Sequence, residues 1–297
     1  MFTTLVAVIA ALVLGHVAPA LGTSLRQFHW YDHWLEWIGS HSSGEGGFWR
    51  GRYGIWLALL PPVLLVLLMQ VALSGRLLGL ASLLFGVVVL VWTWGPRDLD
   101  IDVESALDAT EPETRRARLA QLAPEPGMVV ADGPAMPGLL MRSALRRWFA
   151  PLLWFLLLGP AGAVLYRLTE RAALADATLL PSDNTAGTRI VLRWLEWPVA
   201  QLMTLALALA GNFDLVFRAW RAAGGDRWPA ESGFLESAAR AAVFGELAED
   251  AEDQLRDGQV PVSAELVELR DAMSLVWRML LVWLALLALL VIAGWVS

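Results

Sequence analysis

YGIWLALLPPVLLVLLMQVALSGRLLGLASLLFGVVVLVWTW, residues 53–94, decides the fold class, because Arg76 is its only charged side chain. Residues 53–72 and 76–94 each approach the roughly 20 helical residues that cross about 30 Å of hydrocarbon. Only a short break around Ser74 and Gly75 separates them, so the pair reads as a membrane helical hairpin whose first arm carries Pro61 and Pro62. Four further apolar runs flank it, at 2–21, 148–168, 191–210 and 277–295. The run at 191–210 is the weakest, since Glu196, Pro198 and Gln201 sit in its first half. The expected fold is all-α, a polytopic helical membrane bundle of five or six transmembrane helices with soluble helical loops. Its expected segments are 1–94 (first helix, Trp-rich interfacial stretch and hairpin), 95–147 (polar loop with a short helix), 148–211 (central membrane helices), 212–276 (acidic helical segment) and 277–297 (last membrane helix).

The whole composition agrees. Of 297 residues, 57% are hydrophobic and 17% charged, with 16 Trp and no Cys, which is the balance of a membrane protein and not of a water-soluble domain. Every one of the 22 basic residues is Arg, so mechanisms that need an amine are excluded: the P-loop lysine, Schiff-base catalysis and the SxxK acylation motif. The lack of Cys excludes disulfides, thiolate nucleophiles, iron–sulfur clusters and thiolate zinc sites. The net charge of -7 is local, because residues 211–276 hold 13 Asp and Glu against 6 Arg while the remainder balances at 16 against 16. An acidic segment with no basic, aromatic-interleaved patch repels phosphates, so no nucleic-acid partner is expected.

Arginine placement sets the expected orientation. Arg26, Arg50 and Arg52 precede the hairpin and seven more follow it between 97 and 147, whereas Arg76 alone lies at its tip. Both flanks and the acidic segment are therefore expected in the cytoplasm and both termini outside, provided that 191–210 crosses the bilayer and does not re-enter. The first run has Ala18 and Ala20 in an A-x-A pattern but no basic region ahead of it, so a retained helix is expected, not a cleaved signal. In the loops, a helix is expected over 113–122 behind Pro112, and an extended linker over 123–138 with its four Pro and three Gly. Within 231–255, Phe234, Leu235, Ala238, Ala242, Gly245 and Ala248 form an apolar stripe opposite acids, as in a soluble amphipathic helix.

Three stretches carry candidate chemistry. In FHWYDHWLEWIG, residues 28–39, His29 and His33 share a helix face with Asp32 and Glu36 nearby, a spacing that could meet a metal ion. An interfacial helix accounts for the same residues, because Trp30, Tyr31, Trp34 and Trp37 are the side chains that settle at a headgroup boundary. In residues 141–168, Arg146 and Arg147 precede an apolar run, Arg167 follows it, and GPAG interrupts it at Gly159; the plain reading is an anchored, kinked span, the functional one a ligand cavity at the break. In residues 193–220, Glu196 and Gln201 enter an apolar run, where an ionisable group is a functional candidate by default. A local ion pair with Arg193 is the plain alternative. No nucleophile elbow, HExxH, GxGxxG or EF-hand loop occurs, and Glu249, Asp250, Glu252 and Asp253 lack calcium-loop spacing.

In this order, the three stretches resemble the AmpE family of inner-membrane proteins and its larger superfamily, the CobD/CbiB adenosylcobinamide-phosphate synthases. The D-H-x-L-E segment corresponds to Asp32, His33, Leu35 and Glu36. The A-P-L-(F/L)-W…G-x-x-G-A…Y-R stretch corresponds to Ala150, Pro151, Leu152, Leu153 and Trp154, then Gly159, Gly162 and Ala163, then Tyr166 and Arg167. The W-x-P-x-(R/Q)-L…G stretch is approximated by Glu196, Trp197, Pro198, Gln201, Leu202 and Gly211, and residues 274–283 resemble the terminal span of the AmpE branch in particular.

The synthase branch adds polar clusters beside each stretch, and this chain has residues 142–147, 168–172 and 192–195 in their places, with Glu170 their single carboxylate and no clustered acids to hold a magnesium-nucleotide. The resemblance therefore implies a non-catalytic regulatory or sensory protein of the bacterial inner membrane, linked to peptidoglycan recycling and AmpD-dependent β-lactamase induction. Its alternative is a divergent membrane enzyme related to adenosylcobinamide-phosphate synthase, for which Asp32, Glu36 and Glu196 are the available acids. A transporter needs a second broken helix in a matching half, which is not evident. The candidate ligand-binding residues are Asp32, His33, Glu36, Arg167, Arg193, Glu196 and Gln201; no catalytic residue, metal or cofactor is assigned, and the expected partners are the lipid bilayer and a small-molecule ligand.

Overall fold

The computed structural model describes residues 7–8, 10–11, 28–42, 47–74, 79–94, 98–123, 125, 128, 133–175, 178–227, 232–257 and 266–293. Among these, every regular element is helical and no strand occurs, as the apolar periodicity requires. Three helices are long and apolar enough to cross a membrane, Ile55–Leu73, Ser182–Ala210 and Val267–Leu289, and Gly79–Thr93 is apolar but shorter. Of the expected first span only four residues are described, and Gly75 lies outside the described residues; the expected linker at 123–138 is not extended throughout, because its last three residues already belong to the helix Met136–Ala144, with Pro137 in its first turn. The expected span at 148–168 is not one helix, because the chain breaks at Gly159. Two compact units result, Met1–Arg97 with Ala150–Leu195 and Ala293–Ser297, and Asp98–Phe149 with Glu196–Ile292.

In the first unit, α1 (His29–His41) buries Tyr31, Leu35 and Ile38, spaced four and three apart on one face, while Trp30 and Trp37 stay about half exposed. Helix α2 (Ile55–Leu73) is apolar all round, and its Leu64, Leu65, Leu68 and Val71 point outward, the signature of a helix solvated by lipid and not by water. Pro62 has no N–H to give the carbonyl of Ala58, four residues back. The Trp34 indole Nε1 takes that role from α1, donating to the Ala58 oxygen at 3.2 Å. Part of the Trp-rich stretch thus repairs a proline defect in the neighbouring membrane helix. Helix α3 (Gly79–Thr93) packs beside it.

The first unit resumes with two helices joined by one residue, Ala150–Leu158 and Pro160–Ala173. Gly159 between them has φ 70 and ψ -160, a region essentially confined to glycine. The two helices then pass so close that a Cβ on Gly162 would lie 2.3 Å from the Trp154 carbonyl oxygen. Gln70 of α2 closes the turn, donating to the Leu158 carbonyl at 3.3 Å and accepting from the Ala161 N–H at 3.2 Å. One amide side chain therefore serves both helix ends left open by the break. The second of these helices packs against α2 and α3, and Val164, Leu168 and Ala172 join Tyr31, Trp49, Ile55 and Leu59 in the core.

The second unit contains α4 (Leu99–Leu107), α5 (Pro112–Ala120), α6 (Met136–Ala144), α10 (Phe213–Ala222), α11 (Gly233–Arg256) and α12 (Val267–Ile292). In chain order the two helices around Gly159 are α7 and α8, and Ser182–Ala210 is α9, which contributes to both units. Pro112 stands at the first turn of α5, as expected. Helix α11 buries Phe234, Leu235, Ala238, Ala239, Ala242 and Val243 against α6 and α10, and exposes Glu249, Asp250, Glu252 and Asp253. Asn212 caps α10 through the Leu215 N–H, the ordinary use of Asn before a helix.

Candidate functional site

Helix α6 runs into a π-helical turn at Leu145–Phe149, a widened geometry often found at functional positions. Here it turns two consecutive guanidinium groups inward. Arg146 Nε donates to Glu196 Oε1 at 2.7 Å, with both side chains nearly inaccessible, and its Nη2 reaches Glu125 at 3.3 Å. Arg147 Nη1 donates to Asp102 Oδ2 of α4 at 2.7 Å and Nη2 to the Gln121 carbonyl at 2.5 Å. One helical turn earlier, Arg142 meets Glu236 of α11 at 2.8 Å. These arginines do not anchor a span at a headgroup boundary, as the plain sequence reading has it. Each is consumed by a carboxylate distant in the chain.

Arg167, in α8, is also buried. Its Nε donates at 2.6 Å to the carbonyl of Thr93, the last residue of α3, and its Nη1 donates to Glu170. A cation at a helix C-terminus satisfies an open carbonyl and the negative end of the helix dipole together. Arg167 of the Y-R pair thus serves as a cap on the neighbouring apolar helix α3. Asp32 of α1 accepts from Arg171, one residue beyond Glu170, at 2.8 Å. Beside it, burial pushes the Tyr31 phenol well above its ordinary range, with the charge of Asp32 adding to the effect.

His33 is exposed, and its Nδ1 lies 2.6 Å from the His29 carbonyl oxygen on its own helix. Among the described residues no group of three His, Cys, Asp or Glu is placed to hold a metal ion. Arg193 is exposed on α9, and Glu196 has in Arg146 a partner 50 positions away that sequence spacing does not reveal. Gln201 is bound on both sides: its Nε2 donates to the Gly225 carbonyl at 2.6 Å, and its Oε1 accepts from the Trp220 indole at 2.9 Å. The seven candidates divide between the two units. Asp32, His33, Glu36, Arg167 and Arg193 belong to the first unit, Glu196 and Gln201 to the second.

Glu36 has a different setting. It is exposed at the edge of an open cleft of about 700 Å³ in the first unit, lined also by Ser40, Trp49, Arg50, Ser182 and Asp183. The cleft carries acids, a guanidinium and hydroxyls of both hydrogen-bonding senses, and its volume lies within the range of about 300–1,000 Å³ that holds small molecules. Arg50 and Asp183 were not among the sequence candidates. Their signal was weak, because neither belongs to a motif and only the fold brings 36–50 and 178–183 together. Comparison with models of known protein families, with curated proteins and with solved structures finds no match.

Proposed function

We propose that this chain is a non-catalytic regulatory or sensory protein of the bacterial inner membrane, of the AmpE type, acting in AmpD-dependent β-lactamase induction and peptidoglycan recycling. The family assignment rests on the ordered motifs at 32–36, 150–167 and 196–211. The observation that carries the non-catalytic reading is that the polar side chains of those motifs are held in internal bonds: Asp32 by Arg171, Arg167 by Thr93 and Glu170, Glu196 by Arg146, and Gln201 by Trp220 and Gly225. An enzyme related to adenosylcobinamide-phosphate synthase requires Asp32, Glu36 and Glu196 to converge. Two of these acids are already neutralised by arginine, Asp32 by Arg171 and Glu196 by Arg146.

In this reading the acidic segment at 212–276 faces the cytoplasm and the membrane segments number five or six, with the short helix α3 and the α7–α8 pair supplying those beyond the three long ones. The ligand is sensed in the cleft at Glu36, whose mixed charge suits a polar, hydroxylated molecule. Deleting the gene and measuring β-lactamase activity after a sub-inhibitory β-lactam tests the assignment. An altered induction ratio that the wild-type gene restores, and that Glu36→Gln with Arg50→Gln fails to restore at equal protein level, is the expected result. Induction identical in the deletion and its parent refutes it.

A further inference from the structure

The two ends of helix α2 are marked by different partners. At one end Ile55 and Leu59 share a core with Tyr31 and Leu35 of α1 and with Leu168 and Ala172 of α8. Gln70 stands roughly 22 Å further along the helix, at about 1.5 Å per residue, and is bonded to Leu158 and Ala161 around the Gly159 break. Helix α8 therefore runs antiparallel to α2, from the Gln70 end back to the Ile55 end. Two further bonds agree with that direction. Arg167 donates to Thr93, where α3 has returned from the hairpin tip, and Arg171 reaches Asp32 of α1 at 2.8 Å.

Helix α7 comes to the Gly159 turn from the same end. Gly162 of α8 lies against the Trp154 carbonyl and the Leu158 side chain of α7, leaving no room for a Cβ. In one continuous helix Trp154 and Gly162 would stand about 12 Å apart, so the two arms are folded back on each other. With 9 residues, α7 rises only about 13 Å, less than half of the hydrocarbon thickness of about 30 Å. A chain that goes in through α7 and comes back through α8 does not cross.

The residues beyond α8 stay at the Ile55 end. Asn184, in the first turn of α9, donates to the Trp49 carbonyl at 3.0 Å, and Gly187 is packed directly on the Arg52 carbonyl. The Glu36 cleft is built here, with 36–50 on one wall and 178–183 on the other. A crossing at 148–168 would put the first wall in the cytoplasm and the second outside. No cleft can be lined from both sides of a bilayer.

We infer that α7–α8 is a re-entrant hairpin, entering and leaving the membrane on the side of α1, and that the Glu36 cleft opens to the cytoplasm. The solute it takes is then a cytoplasmic one, an inference that rests on the sensory reading above. Sidedness follows from the arginines: Arg50, Arg52, Arg171 and Arg189 belong to the Ile55 end, whereas Arg76 alone lies between α2 and α3 in the sequence. With the acidic segment cytoplasmic as well, α9 does not cross, and its run is the one interrupted by Glu196, Pro198 and Gln201.

The test uses the full chain, which has no Cys of its own, with one cysteine introduced at a time. Ser40→Cys and Ser182→Cys sit at the cleft and Ser74→Cys at the hairpin tip, all exposed positions. A membrane-impermeant thiol reagent should label Ser74→Cys in intact cells, and Ser40→Cys and Ser182→Cys only after lysis. Labelling of Ser182→Cys in intact cells overturns the re-entrant hairpin. Labelling of both cleft positions there, or of Ser74→Cys only after lysis, overturns the cytoplasmic assignment. Glu36→Cys with Asp183→Cys gives a measurement independent of sidedness: a short, membrane-permeant thiol cross-linker should join the two, and the lack of any link overturns the shared cleft. Membrane-extracted amounts equal to wild type establish that each variant folds. None of these readouts depends on β-lactamase induction, so unchanged induction in the deletion strain refutes the sensory reading alone, and labelling from the wrong side refutes the topology alone.

Discussion

Replacing Trp34 with Phe tests the repair of the Pro62 defect directly. The substitution keeps a ring in the same place and removes the N–H that donates to the Ala58 carbonyl at 3.2 Å. A net intramolecular hydrogen bond is worth about 0.5–1.5 kcal/mol, and leaving a carbonyl unsatisfied away from water costs about 1–3 kcal/mol. Ala58 is fully buried, so the loss should fall near 1–2 kcal/mol in those ranges. The decisive step is the second background. Pro62→Ala restores a backbone N–H that can donate to the same oxygen, so Trp34→Phe should then cost about 1 kcal/mol less, the rest being lost packing. The assay is thermal unfolding in detergent followed by helical circular dichroism, for the wild type, both single variants and the double variant. Equal costs of Trp34→Phe in the two backgrounds would refute the account, because the indole would then act only as a hydrophobic ring.

Gly162→Ala should destabilise the α7–α8 pair by more than the roughly 1 kcal/mol typical of point variants, since the new Cβ meets a backbone carbonyl that cannot swing aside; loss of resistance to proteolysis measures it. Arg147→Met should cost about 3–5 kcal/mol by stranding the buried Asp102 charge, and Asp102→Leu added to it should recover most of that loss in the same unfolding assay. Asp32→Asn should shift stability by about 1 kcal/mol or less, because its arginine partner is 45% exposed. The chain has no Cys, so single-cysteine labelling reports topology cleanly: Ser74→Cys should react with a membrane-impermeant thiol reagent from outside the cell, and Asp257→Cys only after lysis.

What was legible in the sequence follows the range of the interaction. Helix class, the span at 55–73, the Pro112 start of α5 and the buried stripe of α11 all depend on residues within a few turns of each other, and periodicity reports these. The interruption at Gly159 and Pro160 was legible for the same reason, though not that the two arms would close to backbone contact. The partners of the charged residues were not. Arg146 bonds Glu196 across 50 positions, and Arg171 bonds Asp32 across 139, separations that local spacing does not reach. The π-helical turn was equally hidden. An apolar run with two arginines at its start looks like a span with cationic anchors whether those arginines reach headgroups or buried acids.

That difference in range separates two kinds of polar residue in this chain. An ionisable group near an apolar span is costly unless something pays for it, so it suggests function by default. Here the expense is met by a distant carboxylate or an open helix end, and the residue's contribution is to hold elements together. Residues around the Glu36 cleft differ, since Glu36, Arg50 and Asp183 are exposed and need no partner to be tolerated. Variants of the two sets should therefore fail differently in cells. Arg147→Met or Glu196→Gln should lower the amount of folded protein in the membrane and leave the β-lactamase response per remaining molecule unchanged. Glu36→Gln with Arg50→Gln should leave the amount unchanged and alter the response. Quantifying membrane-extracted protein beside induction in the same cultures measures both, and a response that simply tracks abundance in every variant would remove the cleft from the mechanism.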